Sequence, residues 1–88
     1  MLYKAPFEVK DVEKKFRELS KSKGVIVFGT GNCGLLVIES LKKENIKIKH
    51  LTDNNISKWN TFIRGYEVIS PKKLKDIDNN TPVLVASD

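Results

Sequence analysis

The chain has little of what most enzyme chemistry needs. Cys33 is the only cysteine in 88 residues, which excludes an internal disulfide framework and fits a reducing cytoplasm. His50 is the only histidine, and no set of residues stands at metal-ligand spacing beside it. No nucleophile–base pair and no paired carboxylates occur, so nothing here performs a reaction by itself. The longest apolar runs, VIVF and LLVI, fall far short of the roughly 20 residues that span a bilayer. The first residues, MLYKAPFEVKD, lack the continuous apolar core of a signal peptide and carry acids early. There are no repeats and no low-complexity tracts. These absences leave one small domain, expected to be soluble and cytoplasmic, that binds something rather than transforms it.

What is present is an ordinary globular composition, 40% hydrophobic and 31% charged. A chain this short buries only roughly 60–65% of its unfolded surface, so its stability is expected to be modest. The net charge of +5 is uneven: residues 1–49 hold eleven Lys/Arg against six Asp/Glu, and residues 50–88 hold five of each. The lysines alternate with acids and are not interleaved with aromatics, which reads as a solvated face rather than a nucleic-acid surface.

The centre of the chain is Val25–Leu41, VIVFGTGNCGLLVIESL. Four apolar residues rich in β-branching read as a strand buried on both faces. Gly29-Thr30-Gly31-Asn32-Cys33-Gly34 follows as G-x-G-x-x-G, and then a helix from about Cys33 to Glu44 ends at Asn45, a left-handed terminator. Before this unit, residues 1–7 read as an irregular lead-in. Val9, Val12, Phe16 and Leu19 form the apolar stripe of a leading helix over residues 8–21. After it, Ile46–Thr52 reads as a half-exposed strand ending in Asp53-Asn54-Asn55, and residues 56–65 as a loop. Tyr66–Ile69 is a short strand, Ser70-Pro71 a helix start, and Pro82–Ala86 a last strand. Strands joined through helices imply parallel pairing with right-handed crossovers.

A glycine pattern set between a strand and a helix points to a Rossmann-type nucleotide-binding half. In that reading Gly29 makes the tight turn, Gly31 lets backbone approach a phosphate and Gly34 lets helix pack on strand. Thr30, Asn32 and Cys33 complete the cradle, with the helix N-terminus supplying N–H groups to a pyrophosphate. Asp53, nineteen residues beyond Gly34 and at the carboxyl end of the second strand, is placed to accept from a ribose diol, with Asn54 beside it. A glycine turn without ligand and a turn-initiating Asp are the plainer alternatives. Cys33 reads as a packing residue and His50 as structural or surface-exposed. Trp59 and Phe62 are expected to pin the 54–65 loop, and Lys58 and Arg64 to be solvated charges within reach of the same edge. The chain stops just past a strand that looks central, which suggests the first domain of a longer enzyme.

The segments IVFGTGNCG, HLTDNN, KWNTFIRGYEVISPKKL and PVLVAS resemble a Rossmann-like domain of bacterial sugar-modifying proteins. That domain stands at the N-terminus of nucleotide-sugar acyltransferases and polysaccharide epimerase/dehydratases, and beside glycan methyltransferase domains. The resemblance covers about residues 24–88, and residues 1–23 look like an added leading helix. A likeness to the nucleotide-binding domain of CoA ligases is weaker. The resemblance implies a nucleotide-sugar or NAD over Gly29, Gly31 and Gly34 with Asp53 near ribose or base. Catalysis, as a transferase or an NAD-dependent sugar epimerase or dehydratase, would lie in a downstream domain.

The expected fold is thus α/β, a single small Rossmann-like domain over 1–88. Its parallel sheet would have about four strands in order 3-2-1-4, flanked by helices and preceded by an extra helix. The expected ligand is a small nucleotide, with no nucleic-acid or membrane partner and a homo-oligomer left open. The alternative is a non-catalytic interaction or oligomerisation module that kept the shape and lost the ligand.

Overall fold

The structure, a computed structural model, describes residues 2–4, 24–77 and 81–86. The expected leading helix over 8–21 and the Asp78-Asn79-Asn80 terminator lie outside the described residues. Among the described residues six strands form one sheet: β1 (Leu2–Lys4), β2 (Val25–Phe28), β3 (Ile48–Thr52), β4 (Phe62–Ile63), β5 (Tyr66–Ile69) and β6 (Val83–Val85). Their order is β1-β6-β2-β3-β5-β4. All neighbours pair in parallel except β4 and β5, which are antiparallel.

This corrects the expected Rossmann-like sheet of about four parallel strands in order 3-2-1-4. The sheet is mixed and carries a strand beyond the expected set on each edge. One edge is turned back by a hairpin, because Arg64 and Gly65 both take positive φ, 55° and 86°. Two successive left-handed residues make the two-residue loop that matches strand twist, so Phe62-Ile63 folds against Tyr66-Glu67. The other edge is β1, in the segment read as an irregular lead-in. Within the described residues the flanking helices are also fewer than expected. Among the described residues only α1 (Asn32–Lys43) is α-helical, and the run after Ser70-Pro71 is a 3-10 helix, Pro71–Asp76, with no buried residue. Ser70 caps it as its position predicts, accepting from the Lys72 N–H at 3.2 Å.

β2 is central because Val25, Ile26 and Val27 are apolar, β-branched and at most 1% exposed. Against β3 its register slips by one residue after Val25: Val25 faces Ile48 but Ile26 faces His50. Lys49 is the extra residue of this bulge, and it is exposed. The slip lets both Ile48 and Leu51 join the core beneath α1.

α1 lays Val37, Ile38 and Leu41 on that core, each fully buried aliphatic stabilising by roughly 1.5–3 kcal/mol. It ends as the sequence predicts, with Asn45 left-handed at φ 59°. The Asn45 N–H donates to the Lys42 carbonyl at 3.1 Å and the Ile46 N–H to the Leu41 carbonyl at 2.9 Å. Those are the two bonds of a Schellman motif, with Ile46 buried as its apolar anchor. No helix among the described residues is long and apolar enough to cross a membrane.

Candidate functional site

The carboxyl ends of β2, β3 and β6 open onto one cleft of about 350 Å³. Phe28, Val85 and Ala86 supply its apolar wall; Gly29, Thr30, Gly31, Asp53, Asn54 and Lys58 supply the rest. Its volume lies at the low end of the range for small-molecule sites.

The turn after β2 is shaped by close backbone approach. Gly29 has φ 111°, and a Cβ on it would stand 1.9 Å from the Ala86 carbonyl oxygen. A Cβ on Gly34 would stand 1.9 Å from the Gly29 carbonyl oxygen. These two glycines are therefore demanded by contact between protein segments, β2 to β6 and α1 to the turn. Gly31 differs. Its φ of −77° is open to any residue, and it lines the cleft at the N-cap of α1, where no side chain caps the helix and the first turn holds no acid. The Gly29 N–H donates to the Thr52 carbonyl at 2.8 Å and the Ala86 N–H to the Phe28 carbonyl at 2.7 Å, fixing the turn to both flanking strands.

Asp53 faces this turn. Its Oδ2 accepts from the Thr30 N–H at 2.9 Å and the Thr30 hydroxyl at 2.7 Å, and its Oδ1 accepts from the Asn55 N–H at 2.8 Å. Lys58 Nζ donates to Thr30 Oγ1 at 3.0 Å and lies 3.8 Å from Asp53 Oδ2. Burial works against the charge of Asp53, but the bonds from the Thr30 hydroxyl and the Asn55 and Thr30 amides, with the Lys58 ammonium, outweigh it. The carboxyl is held below its ordinary value of 3.8. Asp53 is thus a clasp on the glycine turn as well as a group at the cleft. A carboxylate offers about four lone-pair sites, so acceptor capacity remains at Oδ1 for a ligand.

The loop behind Asp53 is held by side chains. Asn55 caps the short 3-10 turn Ile56–Lys58, accepting from the Ser57 N–H at 3.1 Å and its hydroxyl at 2.7 Å. Trp59 Nε1–H donates to the Asp53 carbonyl at 2.6 Å while its ring packs on the core. The Asn60 N–H and the Thr61 carbonyl both bond Val68 at 2.8 Å, tying the loop to β5.

Of the residues singled out in sequence, Gly29, Thr30, Gly31, Asp53 and Asn54 come together in the cleft. Asn32, Cys33 and Gly34 stand in the first turn of α1 and do not line it; Cys33 is half-buried against the core. Trp59 pins its loop, but Phe62 does not, being 69% exposed. Arg64 pairs with Glu39 at 3.3 Å on the α1 side. His50 is away from the cleft, and its Nδ1 is buried without a hydrogen-bond partner. The walls Phe28, Val85 and Ala86 were not singled out as site residues; the ends of adjacent strands beside the glycine turn were the available signal. Among the described residues no three His, Cys, Asp or Glu side chains gather to hold a metal ion.

The described residues thus form a mixed sheet with one α-helix, and a cleft lies beside the glycine turn where the parallel strands end. The chain belongs to the C2185-like, N-terminal family, whose model matches residues 21–88. No curated protein and no solved structure matches it.

Proposed function

We propose that this domain holds a nucleotide, a nucleotide-sugar or NAD, by its phosphate at the turn Gly29-Thr30-Gly31 before α1, in the cytoplasm and on behalf of a sugar-modifying enzyme whose catalytic domain lies downstream. The observation that carries the reading is the cleft itself. A glycine lines it at the N-cap of a helix whose first turn has no acid, and a positive helix end of that kind favours an anion. Phe28, Val85 and Ala86 offer an apolar wall for a base or sugar face, and Asn54 and the spare lone pairs of Asp53 offer polar contacts for a ribose. The size of the cleft suits one nucleoside with its phosphates. The sugar-enzyme setting rests on the resemblance of the glycine turn, the acidic turn and the Lys-Trp loop. Calorimetric titration with UDP, UDP-sugars, NAD and CoA tests the reading: saturable binding of one nucleotide, weakened by Gly31→Val in a folded protein, is expected. Absence of binding to all four overturns it.

A second reading, an interaction module without ligand, is favoured by Leu36, Ile56 and Phe62, which are 70%, 72% and 69% exposed. It predicts self-association in sedimentation that Phe62→Ser removes, with the cleft indifferent to nucleotides.

A further inference from the structure

The reading of the cleft as a phosphate site meets an obstacle in its own wall. Asp53 places a carboxylate on the glycine turn, 2.9 Å from the Thr30 amide nitrogen. An unpaired negative charge there repels any anion brought to the turn. Lys58 stands where it answers that charge. Its ammonium is 3.8 Å from Asp53 Oδ2 and donates to the same Thr30 hydroxyl that donates to Asp53. The pair is partly screened from water, with side chains 34% and 16% exposed. Among the described residues Asp53 and Lys58 are the only charged ones lining the cleft, and their formal charges cancel, leaving −1 from these residues when Lys58 is removed.

We propose that Lys58 is a positioning and specificity-determining residue: by cancelling Asp53 through the shared Thr30 hydroxyl, it makes the glycine turn admit anionic ligands while Asp53 keeps the turn closed. The inference rests on the nucleotide-phosphate reading and deepens it. It gives each of the three residues a separate duty. Asp53 fixes the backbone of the turn, Thr30 bridges the two charges, and Lys58 sets the sign of the potential a ligand meets. Lys58 need not touch the ligand.

A double-mutant cycle with UDP as probe tests this, read by calorimetry at low ionic strength and by amide NMR shifts of Thr30 and Gly31. Lys58→Met is expected to weaken UDP binding roughly tenfold, the effect of one uncancelled charge near an anion in a partly exposed cleft. Lys58→Arg should bind like the parent. Asp53→Asn combined with Lys58→Met should restore affinity to within about threefold, because the amide leaves the turn an acceptor but no charge. A carbon-detected titration without ligand gives an independent readout: the Asp53 carboxyl should titrate at higher pH in Lys58→Met than in the parent. Parent binding with a double variant as weak as Lys58→Met overturns the inference alone and makes Lys58 a direct phosphate ligand. A parent that binds no UDP, UDP-sugar, NAD or CoA overturns the nucleotide reading and this inference with it. If Asp53→Asn loosens the turn, its amide spectrum shows it, and the Lys58→Met titration of Asp53 then decides: an unmoved carboxyl overturns the inference.

Discussion

The two loops that meet at the cleft are built by opposite means. The turn 29–34 is shaped where side chains are absent: Gly29 and Gly34 leave room for backbone oxygens that a Cβ would strike, and the helix that follows has no side-chain cap. The loop from Asp53 to Thr61 is shaped where side chains are present, through Asp53, Asn55 and Trp59. The first is intolerant of added atoms and the second of removed ones. They are joined at Thr30, which gives both its amide and its hydroxyl to Asp53.

Substitutions that break this contrast rank by what they disturb. Gly34→Val should be the most damaging, because its Cβ would meet the Gly29 carbonyl oxygen at 1.9 Å between two fixed backbones. A loss of roughly 3–5 kcal/mol in urea denaturation is expected, a large share of a small domain's stability. Asp53→Ala comes next, stripping acceptors from Thr30 and Asn55, with a cost of roughly 1–3 kcal/mol. It also carries a pH signature. The folded carboxyl lies below its ordinary value of 3.8, so its contribution is complete above that value and lost as pH falls through the lowered one. Melting curves should show the acid-limb loss in the parent and a shallower one in Asp53→Ala. Trp59→Phe keeps the ring on the core but removes the bond to the Asp53 carbonyl; a thermal melt should register roughly 0.5–1.5 kcal/mol. Arg64→Ala should have the smallest effect. Its pair with Glu39 is half-exposed on both sides, and a change within about 0.5 kcal/mol is expected by the same melt.

The parts of the fold legible in the sequence are those whose signals are local. The strand VIVF, the helix after the glycine turn and the Asn45 terminator depend on residues within a few turns or one strand, and each lies where it was read. β1 was not legible, because three residues at the start of the chain pair with Val83–Val85 and nothing nearby marks them as a strand. β4 was hidden by its two-residue length, although a two-residue connection ending in glycine, between Phe62-Ile63 and Tyr66-Glu67, is a hairpin signal. The helix start at Ser70-Pro71 was legible as a cap, but half-buried Leu74 and Ile77 are too little apolar edge to draw out an α-helix. At the site, spacing brought Asp53 to the glycine turn, yet its clasp on Thr30 was not readable, since an acid at that position serves a ribose or a backbone amide equally well. Lys58 looked like a solvated loop charge for the same reason: its partner is 28 residues away.

The place of β6 has a consequence for the order of events in synthesis. β2 lies between β3, which follows it closely in the chain, and β6, which follows far behind. The glycine turn is seated on the Ala86 carbonyl, and Val85 and Ala86 are one wall of the cleft. A nascent chain can pair β2 with β3 and dock α1 as those residues emerge, but the turn keeps an open flank until the strand carrying Ala86 has left the ribosome. Non-local closure of this kind is the slow step in sheet formation. The cleft therefore gains its Val85–Ala86 wall only after β2, β3 and α1 have been made, so its shape depends on the most distant pairing that β2 enters.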